Sequence, residues 1–95
     1  MAKIYSSSRL VVLGLAPQMI AAADEKRIGI ILQNQEPVAN IFVRAGGTGA
    51  ERSFLKFKPD GSFHENILPS TEELWAYSDV DGAILTLVTK YMVQP

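Results

Sequence analysis

Cysteine is absent from this chain, which rules out disulfides and thiolate metal sites. Histidine occurs once, at His64, and one imidazole cannot build the cluster that a zinc or cupin-type metal centre needs. No metal and no cofactor are therefore expected. A Ser-His-Asp triad would have to use His64, which lies on an expected strand beside a turn, and the chain has no Gly-x-Ser-x-Gly elbow. Long apolar runs are also missing. The longest uncharged stretch, Leu10 to Ala23, is interrupted by Gly14 and Pro17 and is too short to cross a bilayer. The first eight residues carry no extended apolar segment of the secretory kind, so synthesis and use in a cytoplasm are expected. No run of lysine and arginine exceeds the pair Lys26-Arg27, and the net charge is -1. A nucleic-acid binder would show a basic stripe, so nucleic acid is not an expected partner, nor is a membrane.

What is present is an ordinary globular balance, with 47% hydrophobic and 20% charged residues in a chain of 95. This is enough for one domain. A domain so small is marginal on its own, and with disulfides and metals excluded, subunit association is the remaining source of stability.

The dominant pattern is short apolar segments separated by turn residues. Residues 9–15 are rich in aliphatic side chains and end before Pro17. Residues 27–33 place Ile28, Ile30 and Leu32 on one face of an extended strand. In 39–45, Ile41 and Val43 alternate with Asn40, Phe42 and Arg44. Ser53 to Lys58 alternates in the same way, with Leu55 and Phe57 on one face. Pro59-Asp60-Gly61 then predicts a turn, and Ser62 to Asn66 a return strand completing a hairpin, with Phe63 inward. Residues 73–78 set Leu74 and Ala76 against Trp75 and Tyr77. Asp79-Val80-Asp81-Gly82 is another turn, and Ala83 to Tyr91 is the clearest strand. A further short strand at 18–22 precedes a turn at Asp24-Glu25-Lys26. The alternative of two helical turns over Met19 to Lys26 is disfavoured by its length. Ser70 to Glu73 resembles a capping box and allows one helical turn.

Seven or eight strands at this spacing predict an all-β domain. The expected architecture is an antiparallel β-sandwich, jelly-roll-like, with an immunoglobulin-type sandwich as the alternative. The expected organisation is a flexible N-terminal arm over 1–8 and a single sandwich domain over 9–95.

Four features call for a chemical reading. Ala45 to Ala50 is glycine-rich but lacks the Gly-Lys-Ser/Thr ending of a phosphate loop, and reads as a surface hairpin loop. Asp79 and Asp81 are too few for a calcium site and read as turn residues. Trp75 and Tyr77 alternate along one strand and leave three readings open: core, protein interface, or a platform for sugar rings. Arg27 and Asn34 flank a strand, where ladder-end hydrogen bonding is the simplest role.

One combination resembles a known class. Arg27-x-x-Ile30-Ile31-Leu32-Gln33-Asn34 is followed by Asn40-Ile41-Phe42-Val43-Arg44 and a glycine-rich loop. Then come Leu55, Pro59-x-Gly61-Ser62, Trp75-Ala76-Tyr77-Ser78 and a closing threonine-containing strand. Over about residues 20 to 91 this resembles small virion proteins of tailed phages, of the capsid decoration, cement or head-fibre base type. The resemblance implies a non-enzymatic protein on the capsid surface that binds the major capsid protein, self-associates as a homotrimer and stabilises the shell. A tail or adaptor component, or a carbohydrate- or receptor-binding module, is the alternative. The candidate interface residues are Ile4, Tyr5, Arg9, Arg44, Trp75 and Tyr77. The arm, or the Gly46–Gly49 loop, is expected to reach a neighbouring subunit.

Overall fold

The computed structural model describes residues 3–46, 54–59, 61, 63–65 and 71–93. They form eight strands: β1 (Lys3–Leu13), β2 (Gln18–Ala21), β3 (Arg27–Asn34), β4 (Ile41–Ala45), β5 (Leu55–Phe57), β6 (Phe63–Glu65), β7 (Leu74–Ser78) and β8 (Ala83–Val93). One sheet has the order β1-β8-β3-β6 and the other β2-β7-β4-β5, with every neighbouring pair antiparallel. This is the strand order of a jelly roll, and it confirms the all-β antiparallel sandwich.

The topology corrects one expected connection. β5 pairs with β4, and β6 pairs with β3 in the opposite sheet, so Pro59-Asp60-Gly61 does not close a hairpin. The segment crosses between sheets. Gly61 N–H donates to Asn34 O at 2.9 Å, and the Gln33 side-chain amide donates to Gly61 O. Gly61 and Gly82 have φ of 76° and 89°, the left-handed conformation glycine tolerates best; Gly82 lies in the turn between β7 and β8, and Gly61 in the crossing between sheets. The inward side chain expected of Phe63 lies outside the described residues, as do the side chain of His64 and most of the 46–50 loop.

The interior follows from strand alternation. Leu13, Leu85, Leu87, Ile30 and Leu32 from the first sheet face Ile20, Ile41, Val43, Phe57, Leu74 and Ala76 from the second, all buried. Trp75 is not among them. It stands half-buried on the outer face of the second sheet, as its alternation against Leu74 and Ala76 requires.

Two further expectations change. Ile28 does not share the inner face with Ile30 and Leu32; it is 41% exposed. The cause is an irregularity in the β3–β8 register between Arg27 and Gly29. One residue out of phase reverses parity, so Arg27 turns inward and Ile28 outward. The segment expected as a free arm is, from Lys3 onward, the first half of β1, in unbroken register with β8 from Lys3↔Val93 to Leu13↔Ala83. No helical turn occurs at Thr71 to Glu73.

Arg27 and Asn34, at the two ends of β3, tie the layers together. Buried Arg27 donates through Nη1 to Ala22 O at 2.9 Å and through Nη2 to Glu72 O. Buried Asn34 donates from Nδ2 to Ala39 O and Phe57 O, both at 2.8 Å, and its Oδ1 accepts from Glu36 N–H at 3.0 Å. Each of these side chains therefore replaces water for backbone groups on two segments distant in sequence.

Candidate functional site

The candidate interface residues divide between the two sheets. Arg44, Trp75 and Tyr77 come together on the outer face of the second sheet. Arg44 stands opposite Trp75 in the β4–β7 register, and Phe42 opposite Tyr77. Phe42 and Tyr77 stack at 4.7 Å with their planes 10° apart, and Phe54 meets Tyr77 edge-on at 4.9 Å. The Arg44 guanidinium lies 4.8 Å from the Phe54 ring centre and 6.0 Å from that of Trp75. Such contacts contribute about 0.5 to 2 kcal/mol each, depending on desolvation.

This arrangement corrects Arg44. Its side chain is buried beneath aromatic rings rather than presented as an anchor. Tyr77 spends one ring face on Phe42 and receives the edge or face of Phe54, so it offers little flat surface for a sugar ring. The cluster is a packed outer layer that keeps β4, β5 and β7 in register.

Ile4, Tyr5 and Arg9 lie on β1, at the edge of the other sheet, and all three are exposed. Tyr5 and Arg9 share the inner-facing side with Ser7; Ile4 shares the outer-facing side with Ser6, Ser8, Leu10 and Val12. Where the inner faces of β1, β8 and β3 meet the β2–β3 connection, an open cleft of about 290 Å³ is lined by Ser7, Arg9, Asp24, Arg27, Thr89 and Tyr91. Its groups are hydroxyls, two guanidinium groups and one carboxylate. Asp24 Oδ1 already accepts the Lys26 N–H at 2.9 Å. Among the described residues no three His, Asp or Glu side chains gather as a metal site.

Sequence reasoning missed the exposed apolar side chains on the outer face of the β1-β8-β3 sheet. Leu10 is 67% exposed, Val12 62%, Ile4 62%, and Ile84 and Met92 38% each. Val12 stands directly opposite Ile84, and Ile4 opposite Met92. The signal was present, since Leu10 and Val12 alternate with Val11 and Leu13, but a strand apolar on both faces does not say which face is covered. Leu10, Val12 and Ile84 cluster at one end of this face and Ile4 with Met92 at the other, with Ser6, Ser8 and Lys90 between them; exposed apolar clusters of this kind are candidate interaction sites.

A polar clamp joins the β3–β4 connection to the end of β7. Asp79 accepts Asn40 N–H through Oδ1 and the Asn40 side-chain amide through Oδ2, both at 2.8 Å. The side-chain bond, then the backbone bond, holds the Asp79 carboxyl below its ordinary 3.8. A carboxyl depressed by folding adds stability at pH above its unfolded value, and that stability is lost as pH falls through the lower folded value. We expect Asp79→Asn to flatten the acid side of the stability profile below pH 3.8, read by circular dichroism across a pH series. Superimposable acid profiles for the two proteins would contradict this.

No family model and no curated protein matches the chain. Among solved structures it is similar to a protein of Bacillus endospore appendages, which are described as a family of disulfide-linked pili. The TM-score is 0.63 with 6% sequence identity, over 98% of this chain and 89% of that one. At that identity the likeness concerns the fold: both chains are sandwiches of the same kind.

Proposed function

We propose that this chain is a non-enzymatic structural protein of a tailed-phage virion, a decoration or cement protein that binds the outside of the capsid and stabilises the shell. The observation that carries the reading is the exposed apolar face of the β1-β8-β3 sheet, with Ile4, Leu10, Val12, Ile84 and Met92 pointing outward from a rigid sandwich. A sheet face is a suitable docking element because the ladder fixes its backbone before contact, so only side-chain ordering remains to be met on binding. The partner is the major capsid protein. Many copies of one modest contact give a large total stabilisation of a closed shell. Self-association accompanies this role; the resemblance over residues 20 to 91 implies a homotrimer, whereas the long edge strand β1 favours a two-fold dimer.

The motif residues behind that resemblance support the fold rather than a docking surface, because Arg27 and Asn34 are buried pins. The structural neighbour belongs to Bacillus endospore appendages, described as disulfide-linked pili, which is compatible with a structural role for a sandwich of this kind. Disulfide linkage does not carry over to a chain without cysteine.

Immunoelectron microscopy tests the proposal. Tailed particles from the source culture are labelled with antibody raised against this chain. Gold distributed over the heads is the expected result. Gold confined to tails, or particles left unlabelled while the antibody detects the free protein, would overturn it.

A further inference from the structure

Three of the four sheet edges are short: β2 has four residues with a register shift, and β5 and β6 have three described residues each. Short or irregular edges are how sandwiches avoid pairing with other chains. β1 is different. It runs eleven residues at the edge of its sheet, with unbroken register and no proline.

Hydrogen bonds at one end of β1 show which backbone groups face outward. Opposite Val12 stands Ile84, whose N–H donates to Glu36 Oε2 at 3.1 Å, while Val12 O accepts from Gln18 Nε2 at 3.2 Å. Val12 and Ile84 are therefore a pair that does not exchange backbone bonds. By strand alternation, Ile4, Ser6, Ser8, Leu10 and Val12 direct their N–H and C=O groups away from β8, and Gln18 already occupies Val12.

We propose that this edge pairs antiparallel with β1 of a second copy across a two-fold axis centred on Ser7. An antiparallel two-fold pairing must match outward-directed residues with each other, which allows only registers centred on one residue of the strand. Centring on Ser6 sets Lys3 opposite Arg9, and centring on Arg9 sets it against itself; like charges exclude both. Centring on Ser8 needs the Val12 carbonyl, which already accepts from Gln18 Nε2. Centring on Ser7 uses Lys3 to Val11, stops short of Val12, and sets Ile4 opposite Leu10, Ser6 opposite Ser8 and Tyr5 opposite Arg9. The last pair places a guanidinium beside a phenol ring twice, once on each side of the axis. The pairing adds about eight backbone bonds, within the range of a typical protein interface at about ten.

The result is one continuous eight-stranded sheet whose outer face carries Ile4, Leu10, Val12, Ile84 and Met92 from both copies. The inference concerns self-association and rests on the docking proposal only for its use. A trimer without β1 pairing would end this inference and leave capsid docking standing.

The test uses the full chain, whose lack of cysteine makes any engineered disulfide unambiguous. Sedimentation velocity is expected to show a dimer. Ser7→Cys sits at a pair without backbone bonds, where opposing Cα atoms approach to about 4.5 Å, inside disulfide range. It is expected to crosslink under mild oxidation, and Ser8→Cys far less. Ser8→Pro removes only an outward N–H, which an edge strand tolerates, so it is expected to fold with an unchanged circular dichroism spectrum and to weaken the dimer at least about tenfold. A monomer or trimer for the parent chain, or crosslinking at Ser8 in place of Ser7, would overturn the proposal.

Discussion

Replacing Asn34 with alanine is expected to lower stability by about 3 kcal/mol and Tm by roughly 15 °C. The side chain is buried, and its amide supplies Ala39 O and Phe57 O while its oxygen receives Glu36 N–H. Truncation leaves two buried carbonyls without the donor they share, and each such loss costs about 1 to 3 kcal/mol. Aspartate has the same size but no N–H to offer, so Asn34→Asp is expected to be at least as damaging as alanine near neutral pH. Thermal unfolding by circular dichroism measures both. A Tm within a few degrees of the parent for Asn34→Ala would show that the three bonds are not what joins β3 to the β3–β4 connection and β5.

Arg27→Lys is the second large effect, a loss of about 3 kcal/mol despite retention of charge. The guanidinium is a rigid fork. One nitrogen reaches Ala22 O, 5 residues away in the chain, and the other reaches Glu72 O, 45 residues away. A lysine ammonium is a single point on a flexible stem and cannot hold both carbonyls in this geometry. Arg27→Met, which keeps most of the apolar stem, is expected to fall close to lysine. Equal stability of parent and Arg27→Lys in denaturant unfolding would mean that charge, not shape, is what this buried position requires.

These two residues explain how much of the molecule the sequence made legible. The sandwich was readable because period-two alternation in Ile41 to Arg44, Leu74 to Tyr77 and Ala83 to Tyr91 states which side is buried. Asp79 to Gly82 announced a reversal for the physical reason that glycine accepts φ near 89°. Sheet membership was not readable. Pro59-Asp60-Gly61 has the chemistry of a turn whether it joins neighbours in one sheet or crosses to the other, and only long-range pairing of β6 with β3 decides it. Ile28 was misplaced because a register shift next to a buried arginine leaves no mark in the alternation.

The candidate site was only half legible. Trp75 and Tyr77 stand out as aromatics, yet their meaning depends on Phe42, Phe54 and Arg44 closing over them, contacts made between three strands. The apolar outer face of β1 and β8 is spread over residues 4 to 12 and 84 to 92, and becomes a surface only when the first and last strands pair. The serines at 6–8, which read as a polar arm, are small side chains on an edge strand paired on one side with β8.

The account stands on the outer face of the β1-β8-β3 sheet being a covered surface in the working assembly. A cryo-electron reconstruction of the particle that carries this chain tests it most directly. The expected map places the sandwich outside the shell with Leu10, Val12 and Ile84 against capsid protein. A map with that face turned to solvent, or with the sandwich on the tail, would contradict it.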